Sequence, residues 1–318
     1  MSEAMTLEGV GKRFGDFVAV ESLTLRVPAG QIVGFLGPNG AGKTTTLRMV
    51  MSILLPDTGH ISVLGRPAAS EVKDRIGYLP EERGLYRKMT VEKTLRYFGQ
   101  LKGLAGPDLS RRIAAGLERI GLANWAGTKI EGLSKGMQQK VQFLATVLHE
   151  PELVVLDEPF SGLDPINTEA LKELMFDLRR RGTTVLFSTH QMESAERLCD
   201  RIVLINRGRL LLEGVLSEIR AQFASRIVTL EGEGDFEPLR TLPGIVSAEI
   251  SGGQAQLELG DSLAPDAVLR RAMEQVRITH FEVHRPSLHQ IFVKLVGADH
   301  DAGARGGAVA IAPAEGAA

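Results

Sequence analysis

The sequence predicts an α/β protein built on a parallel core sheet, followed by a smaller α+β unit. Three observations lead there. Short, uninterrupted apolar runs at 32–36, 153–156 and 184–188 read as strands buried on both faces. Amphipathic stretches at helical spacing alternate with them. Past about Leu216 the order of elements starts afresh, and strands predominate.

Residues 5 to about 30 come before the parallel part and read as antiparallel strands, with Leu23, Leu25 and Val27 alternating with polar residues. After the 32–36 strand, Leu47, Val50, Met51 and Leu54 fall at i, i+3, i+4 and i+7, and Pro56 ends that helix. Leu171, Leu174, Met175 and Leu178 repeat the spacing, and Arg179, Arg180 and Arg181 suit the negative end of the helix dipole. The stretch from about 90 to 150 has helical patterns and no comparable strand, so it predicts an inserted all-helical arm. Runs at 202–205 and 210–212, joined by Asn206-Arg207-Gly208, predict a closing hairpin.

Beyond Leu216 the expected order is a strand (226–230), a short helix (236–242), two strands (245–250 and 254–259), a helix (265–276) and a strand (278–284). This is the βαββαβ order of a ferredoxin-like unit. The expected boundaries are 1–216 for the first domain and 217–299 for the second. Residues 300–318, nearly all Ala and Gly near their end, have too little to pack and are expected to be a disordered tail.

Lys+Arg 37 against Asp+Glu 39 leaves a net charge of -2, so no global basic field points to nucleic acid, and any anion site must be local. Cys199 is the single cysteine, and no basic-then-apolar leader opens the chain. Both features lead us to expect a reducing, cytoplasmic compartment. The longest apolar runs fall far short of the roughly 20 residues that span a bilayer, so membrane contact would go through a partner.

Gly37-Pro38-Asn39-Gly40-Ala41-Gly42-Lys43-Thr44 follows a buried strand and opens a helix, which is the P-loop spacing in its required context. Glycines let the backbone N–H groups face phosphates, and the helix N-terminus adds partial positive charge. Lys43 would neutralise phosphate, and the Thr44 hydroxyl would reach Mg²⁺. The 153–156 strand ends in Asp157-Glu158 at the sheet edge where open α/β folds bind ligands. Asp157 is expected to hold Mg²⁺ and Glu158 to polarise the attacking water.

Further along, Leu133-Ser134-Lys135-Gly136-Met137 resembles the signature of ABC transporter ATP-binding subunits, usually Leu-Ser-Gly-Gly-Gln. Ser161-Gly162-Leu163-Asp164 resembles their D-loop, His190 their switch histidine, and Phe14 in Lys12-Arg13-Phe14-Gly15 the aromatic that stacks on adenine. The resemblance covers residues 5 to about 220. It implies ATP with Mg²⁺ as ligands, nucleotide contacts from Phe14, 37–44 and Thr45, and catalytic roles for Lys43, Glu158 and His190. It also implies that Ser134, Gly136 and Asp164 close over ATP held by a second chain, identical or paralogous, in a head-to-tail dimer. The implied partner is a separate permease at the cytoplasmic face of the membrane. Read from the residues alone, Ser134 is an N-cap, and Met137, Val141, Leu144, Ala145 and Leu148 form one helical stripe.

Two departures stand out. Glu81, after Ile76-Gly77-Tyr78-Leu79-Pro80, takes the place of the usual glutamine. A carboxylate there can bind Mg²⁺ but, when ionised, cannot donate a hydrogen bond. Lys135 and Met137 replace the usual glycine and glutamine of the signature. With Glu81-Glu82-Arg83-Gly84-Leu85-Tyr86, the pattern resembles the bacterial branch that includes sodium-export (NatA-like) and drug-export subunits, which carry a small C-terminal domain. The resemblance therefore implies export. The competing expectation is a soluble regulatory or assembly ATPase of the same superfamily, although such proteins generally carry two nucleotide domains in one chain.

Overall fold

A computed structural model describes residues 2–303 except 83, 224, 225, 261, 262 and 285. The chain divides into two compact units, Met1–Leu216 and a second from Ser217 on. Along the first unit run β1 (Glu3–Phe14), β2 (Phe17–Pro28), β3 (Ile32–Leu36), α1 (Lys43–Val50), β4 (Thr58–Val63) and β5 (Ile76–Leu79). Three helices follow, α2 (Val91–Leu101), α3 (Gly106–Arg119) and α4 (Lys135–Val147). Then come β6 (Leu153–Asp157), α5 (Pro165–Arg180), β7 (Thr184–Thr189), α6 (Met192–Leu198), β8 (Arg201–Asn206) and β9 (Arg209–Val215). Helix α7 (Leu216–Gln222) crosses the boundary between the units.

The core sheet has the order β5-β6-β7-β3-β8-β9, parallel except for β9, which pairs antiparallel with β8. Every residue of β3, β6 and β7 is buried, as continuous apolar runs in a two-sided sheet require. A second, antiparallel sheet has the order β2-β1-β4. Its inward residues Leu7, Val10, Leu23 and Leu25 share one core with Val33, Phe35, Leu47 and Val155. The helical arm has its own core of Val91, Leu95, Leu109, Ile113, Val141 and Leu144. Thr90 caps α2, its Oγ1 accepting from Lys93 N at 3.3 Å.

The sequence reading did not include β4 and β5 among the strands. β4 has only two apolar residues, Ile61 and Val63, and becomes a strand by pairing with β1. β5 is four residues long and is an edge strand beside β6. α1 also stops at Val50, short of the expected Leu54, because Ser52 takes a left-handed φ of 55°.

In the second unit, β10 (Ile227–Gly234), β11 (Ile245–Ser251), β12 (Gln254–Leu259), α8 (Pro265–Met273), β13 (Val276–Val283) and α9 (Leu288–Gly303) appear in turn. The sheet order β11-β12-β10-β13, antiparallel throughout, is the ferredoxin-like arrangement. Val228, Leu230, Phe236, Leu239, Leu257 and Val268 fill its core. The first expected helix is a 3₁₀ segment, Glu237–Thr241, and the second ends at Met273 because Val276 already begins β13. Of the expected tail 300–318, residues 300–303 are instead the last turn of α9, and the rest lies outside the described residues. Among the described residues, no helix is long and apolar enough to cross a membrane.

Helix α4 lies so close to β5 that a Cβ on Gly77 would sit 2.5 Å from Thr146 O. Two further groups tie the helical arm to this strand. Lys102 Nζ and His149 Nε2 both donate to Ile76 O, at 2.8 and 3.1 Å. His149 Nδ1 is buried and unpaired among the described residues, so protonating it would place a charge away from water and near Lys102. Burial first, and the Lys102 charge second, lower the His149 pKa from 6.5 to about 4. Between those values the unfolded chain binds the proton and the folded chain does not, so stability is present above pH 6.5 and falls as pH drops toward 4. His149→Gln keeps a donor for Ile76 and removes the titration. Urea midpoints at about pH 7 and about pH 5 should therefore differ less in His149→Gln than in the wild-type chain.

Candidate functional site

β7 lies between β3 and β6, so three carboxyl-terminal strand ends meet side by side. β3 delivers the loop that enters α1, β6 delivers Asp157 and Glu158, and β7 delivers Ser188, Thr189 and His190. Parallel sheets hold ligands in the crevice outside such ends.

The loop is possible only with glycine at its tightest points. A Cβ on Gly37 would lie 2.3 Å from Ile205 O, and Gly42 combines φ 99° with a Cβ position 2.5 Å from Ala19 O. From the turn between β8 and β9, Gly208 N donates to Ala41 O at 3.0 Å and buttresses the loop from behind. No side chain caps the N-terminus of α1, which leaves its first-turn N–H groups for an anion. Lys43 is 6% exposed; its Nζ donates to Gly37 O at 2.8 Å and Pro38 O at 3.2 Å and lies 3.4 Å from Glu158 Oε1.

One hydroxyl ties the Asp157 carboxylate to the Glu158 backbone. Ser188 Oγ donates to Asp157 Oδ1 at 2.6 Å and accepts from Glu158 N at 2.9 Å. Thr44 Oγ1 donates to the same Asp157 oxygen at 3.2 Å. Glu158 has a left-handed φ of 46°, rare for a residue with a side chain, and this turns the chain sharply after Asp157. The His190 ring Nδ1 lies 3.1 Å from each Glu158 carboxylate oxygen. Burial, with the Asp157 charge second, raises the Tyr78 phenol pKa above its ordinary value.

A cavity of about 470 Å³ opens over these groups, lined by residues 39–45, Glu81, Glu158, Ser161 and His190 together with Phe17 and Ala19. The Asp157 Oδ2 atom is buried without a hydrogen-bond partner among the described residues. That orphaned oxygen, the Thr44 hydroxyl and the Glu81 carboxylate make an all-oxygen donor set of the kind that suits Mg²⁺.

Ser134, Gly136 and Asp164 do not line this cavity. Ser134 caps α4, accepting from Met137 N at 3.2 Å. Asp164 caps α5, accepting from Asn167 N at 2.9 Å and from its Nδ2 at 2.6 Å. These bonds hold the Asp164 carboxyl below its ordinary pKa. Phe14 is exposed and paired across the hairpin with Phe17, and Phe17 is the one that reaches the cavity wall.

Comparison with known proteins shows the family. Residues 20–161 match the ABC transporter family, and residues 214–296 match the C-terminal domain of DrrA1-3-like ATP-binding proteins. The chain is 41% identical over 297 residues to the uncharacterized ABC transporter ATP-binding protein YhaQ of Bacillus subtilis, spanning 93% of this chain and 100% of that one. The chain belongs to the ABC transporter ATP-binding protein family. It is also 40% identical to the ABC transporter ATP-binding protein NatA of Bacillus subtilis, over 68% of this chain and 91% of that one. A solved ATP-binding subunit of an ABC transporter is similar at a TM-score of 0.64 and 34% identity, covering 69% of this chain and 93% of that chain. As an ABC ATP-binding subunit, the chain binds ATP.

Sequence reasoning did not single out Ser188 or Phe17 as site residues of this ABC subunit, and it named Ser161 only within the D-loop-like segment. The available signal for Ser188 was a polar pair, Ser188-Thr189, closing a strand whose middle, Val185–Phe187, is apolar. Ser188→Ala would leave the Glu158 N–H and an Asp157 oxygen short of a partner in a buried site. The expected cost is about 1–3 kcal/mol, read as a lowered urea midpoint at unchanged m-value.

Proposed function

We propose that this ABC subunit hydrolyses ATP with Mg²⁺, working as one half of a head-to-tail dimer, with itself or a paralogue, that drives a separate membrane permease in the export direction. The observation that carries the catalytic reading is the placement of Glu158. Its carboxylate faces Lys43 at 3.4 Å and His190 at 3.1 Å, beside the uncapped start of α1.

ATP phosphates would be cradled by the N–H groups of 39–44, with Lys43 turning from the Gly37 and Pro38 carbonyls to the phosphate oxygens. Asp157 and Thr44, with Glu81 at the cavity wall, would hold Mg²⁺, which would supply positive charge to offset that of the phosphates. Glu158 orients water and accepts its proton, and His190 fixes the carboxylate. Phe14 or Phe17 offers a ring for adenine. The capped start of α4, at Ser134 and Gly136, is a second anion-binding helix end that does not line its own chain's cavity. This supports a partner chain as the source of its nucleotide, with Asp164 at the same face. Family membership supports a permease partner and a place at the cytoplasmic membrane face. Export rests on the resemblance to the sodium- and drug-export branch.

Glu158→Gln should retain ATP, lose turnover by roughly 100-fold, and accumulate an ATP-bound dimer in sedimentation. Residual turnover within about twofold of wild type would remove Glu158 from this role. Ser134→Arg should block that dimer while fluorescent-nucleotide affinity stays unchanged. A parallel loss of affinity would mean that Ser134 supports its own subunit instead. Retention of an integral membrane protein on affinity-purified chain tests the permease; its absence from detergent-solubilised cells would favour the soluble ATPase.

A further inference from the structure

The loop that follows Glu158 is attached to helix α4 at two independent points. At the first, Gln139 is buried in the second turn of α4, and its Nε2 donates to Pro159 O, one residue after Glu158, at 3.0 Å. At the second, Gly136 has no room for a side chain, because a Cβ there would fall 2.4 Å from Asn167 Nδ2. The same Asn167 amide donates to Asp164 Oδ2 at 2.6 Å, and its backbone N donates to Asp164 Oδ1.

Between these anchors the loop is a run of tight turns. Ser161 N donates to Glu158 O, and Leu163 N donates to Phe160 O. Phe160 packs edge-on against Phe187 of β7 at 5.7 Å. A segment pinned at entry by Ser188, then by Gln139 and at exit by Asn167, has little freedom to absorb a displacement of α4. Movement of α4 therefore reaches Glu158, whose left-handed backbone already holds it in a sparsely populated conformation.

We propose that Gln139 and Asn167 are positioning residues that transmit the seating of the N-terminal turn of α4 on a nucleotide to Glu158 of the same chain. The inference rests on the dimer reading above, in which that turn covers ATP held by the other chain. The linkage then makes the aim of one chain's Glu158 depend on the nucleotide held by its partner. Neither residue lines the ATP cavity of its own chain, so neither contributes to holding that nucleotide.

The test uses full-length protein carrying Gln139→Met, which keeps length and burial but removes the donor, and Asn167→Ala, which keeps the backbone cap on Asp164. Each should lower kcat on the order of tenfold, within the hundredfold that a 1 Å misplacement can cost, with KM for ATP unchanged. In a Glu158→Gln background, each should still form the ATP-dependent dimer to the wild-type extent. Because both residues act on one loop, the double variant should lose less than the product of the single losses. Unchanged kcat in both variants overturns the proposal, as does a joint fall of kcat, dimer fraction and melting temperature, which would mark a purely structural role. A wild-type chain without turnover, or Glu158→Gln without an ATP-dependent dimer, defeats the dimer reading and the proposal together, and does so before any linkage variant is made.

Discussion

The Ser188 hydroxyl is the point on which the candidate site depends. It sits at the end of β7, the strand between the one that delivers the phosphate loop and the one that delivers the acidic pair. By donating to Asp157 and accepting from Glu158 N, it fixes a carboxylate and the start of a sharp turn with a single atom. The turn requires a left-handed backbone at a residue with a side chain, a conformation that costs of order 1 kcal/mol and persists only where surrounding structure determines it. Ser188 and Gln139 supply that determination from opposite sides of Glu158.

Charge balance gives the proposed magnesium site a physical basis. Asp157 and Glu158 are both buried, and Lys43 is the one buried cation facing them among the described residues. A triphosphate brought into the same space adds further negative charge in a region where screening by water is weak. The partial positive end of α1 offsets about half a charge, so one lysine and one helix cannot neutralise the assembly. A divalent cation held by Asp157 would offset that imbalance, and the buried, unpartnered Oδ2 is the oxygen on offer among the described residues.

The features legible in the sequence were those written in short local patterns. The buried strands 32–36, 153–156 and 184–188, the phosphate loop, the acidic pair and the helical arm needed only periodicity and spacing, and so did the βαββαβ order of the second unit. What escaped depended on distant partners. β4 is a strand because β1 lies beside it, and β5 because β6 does. The two hairpin aromatics could not be ranked from sequence, since β1 carries register shifts between Leu7 and Val10, Val10 and Lys12, and Lys12 and Arg13, and each shift re-aims the side chains beyond it. Ser188, Gln139 and Asn167 look ordinary in sequence, because their roles lie in partners 31, 20 and 31 residues away.

The turn between β8 and β9 also bears on how the protein is made. Gly208 N donates to Ala41 O, and Gly208 O accepts from Glu21 N, so the glycine loop proposed to cradle phosphate is braced by a residue more than 160 positions downstream. Contacts so far apart close late, after the loop entropy of the intervening chain has been overcome. During synthesis, a nascent chain has its glycine loop outside the ribosome long before Gly208 has been translated, and until then that loop has no back wall. Nucleotide capture therefore waits for nearly the whole first unit to emerge, and the helical arm, whose contacts are local, is free to fold ahead of the site it will serve.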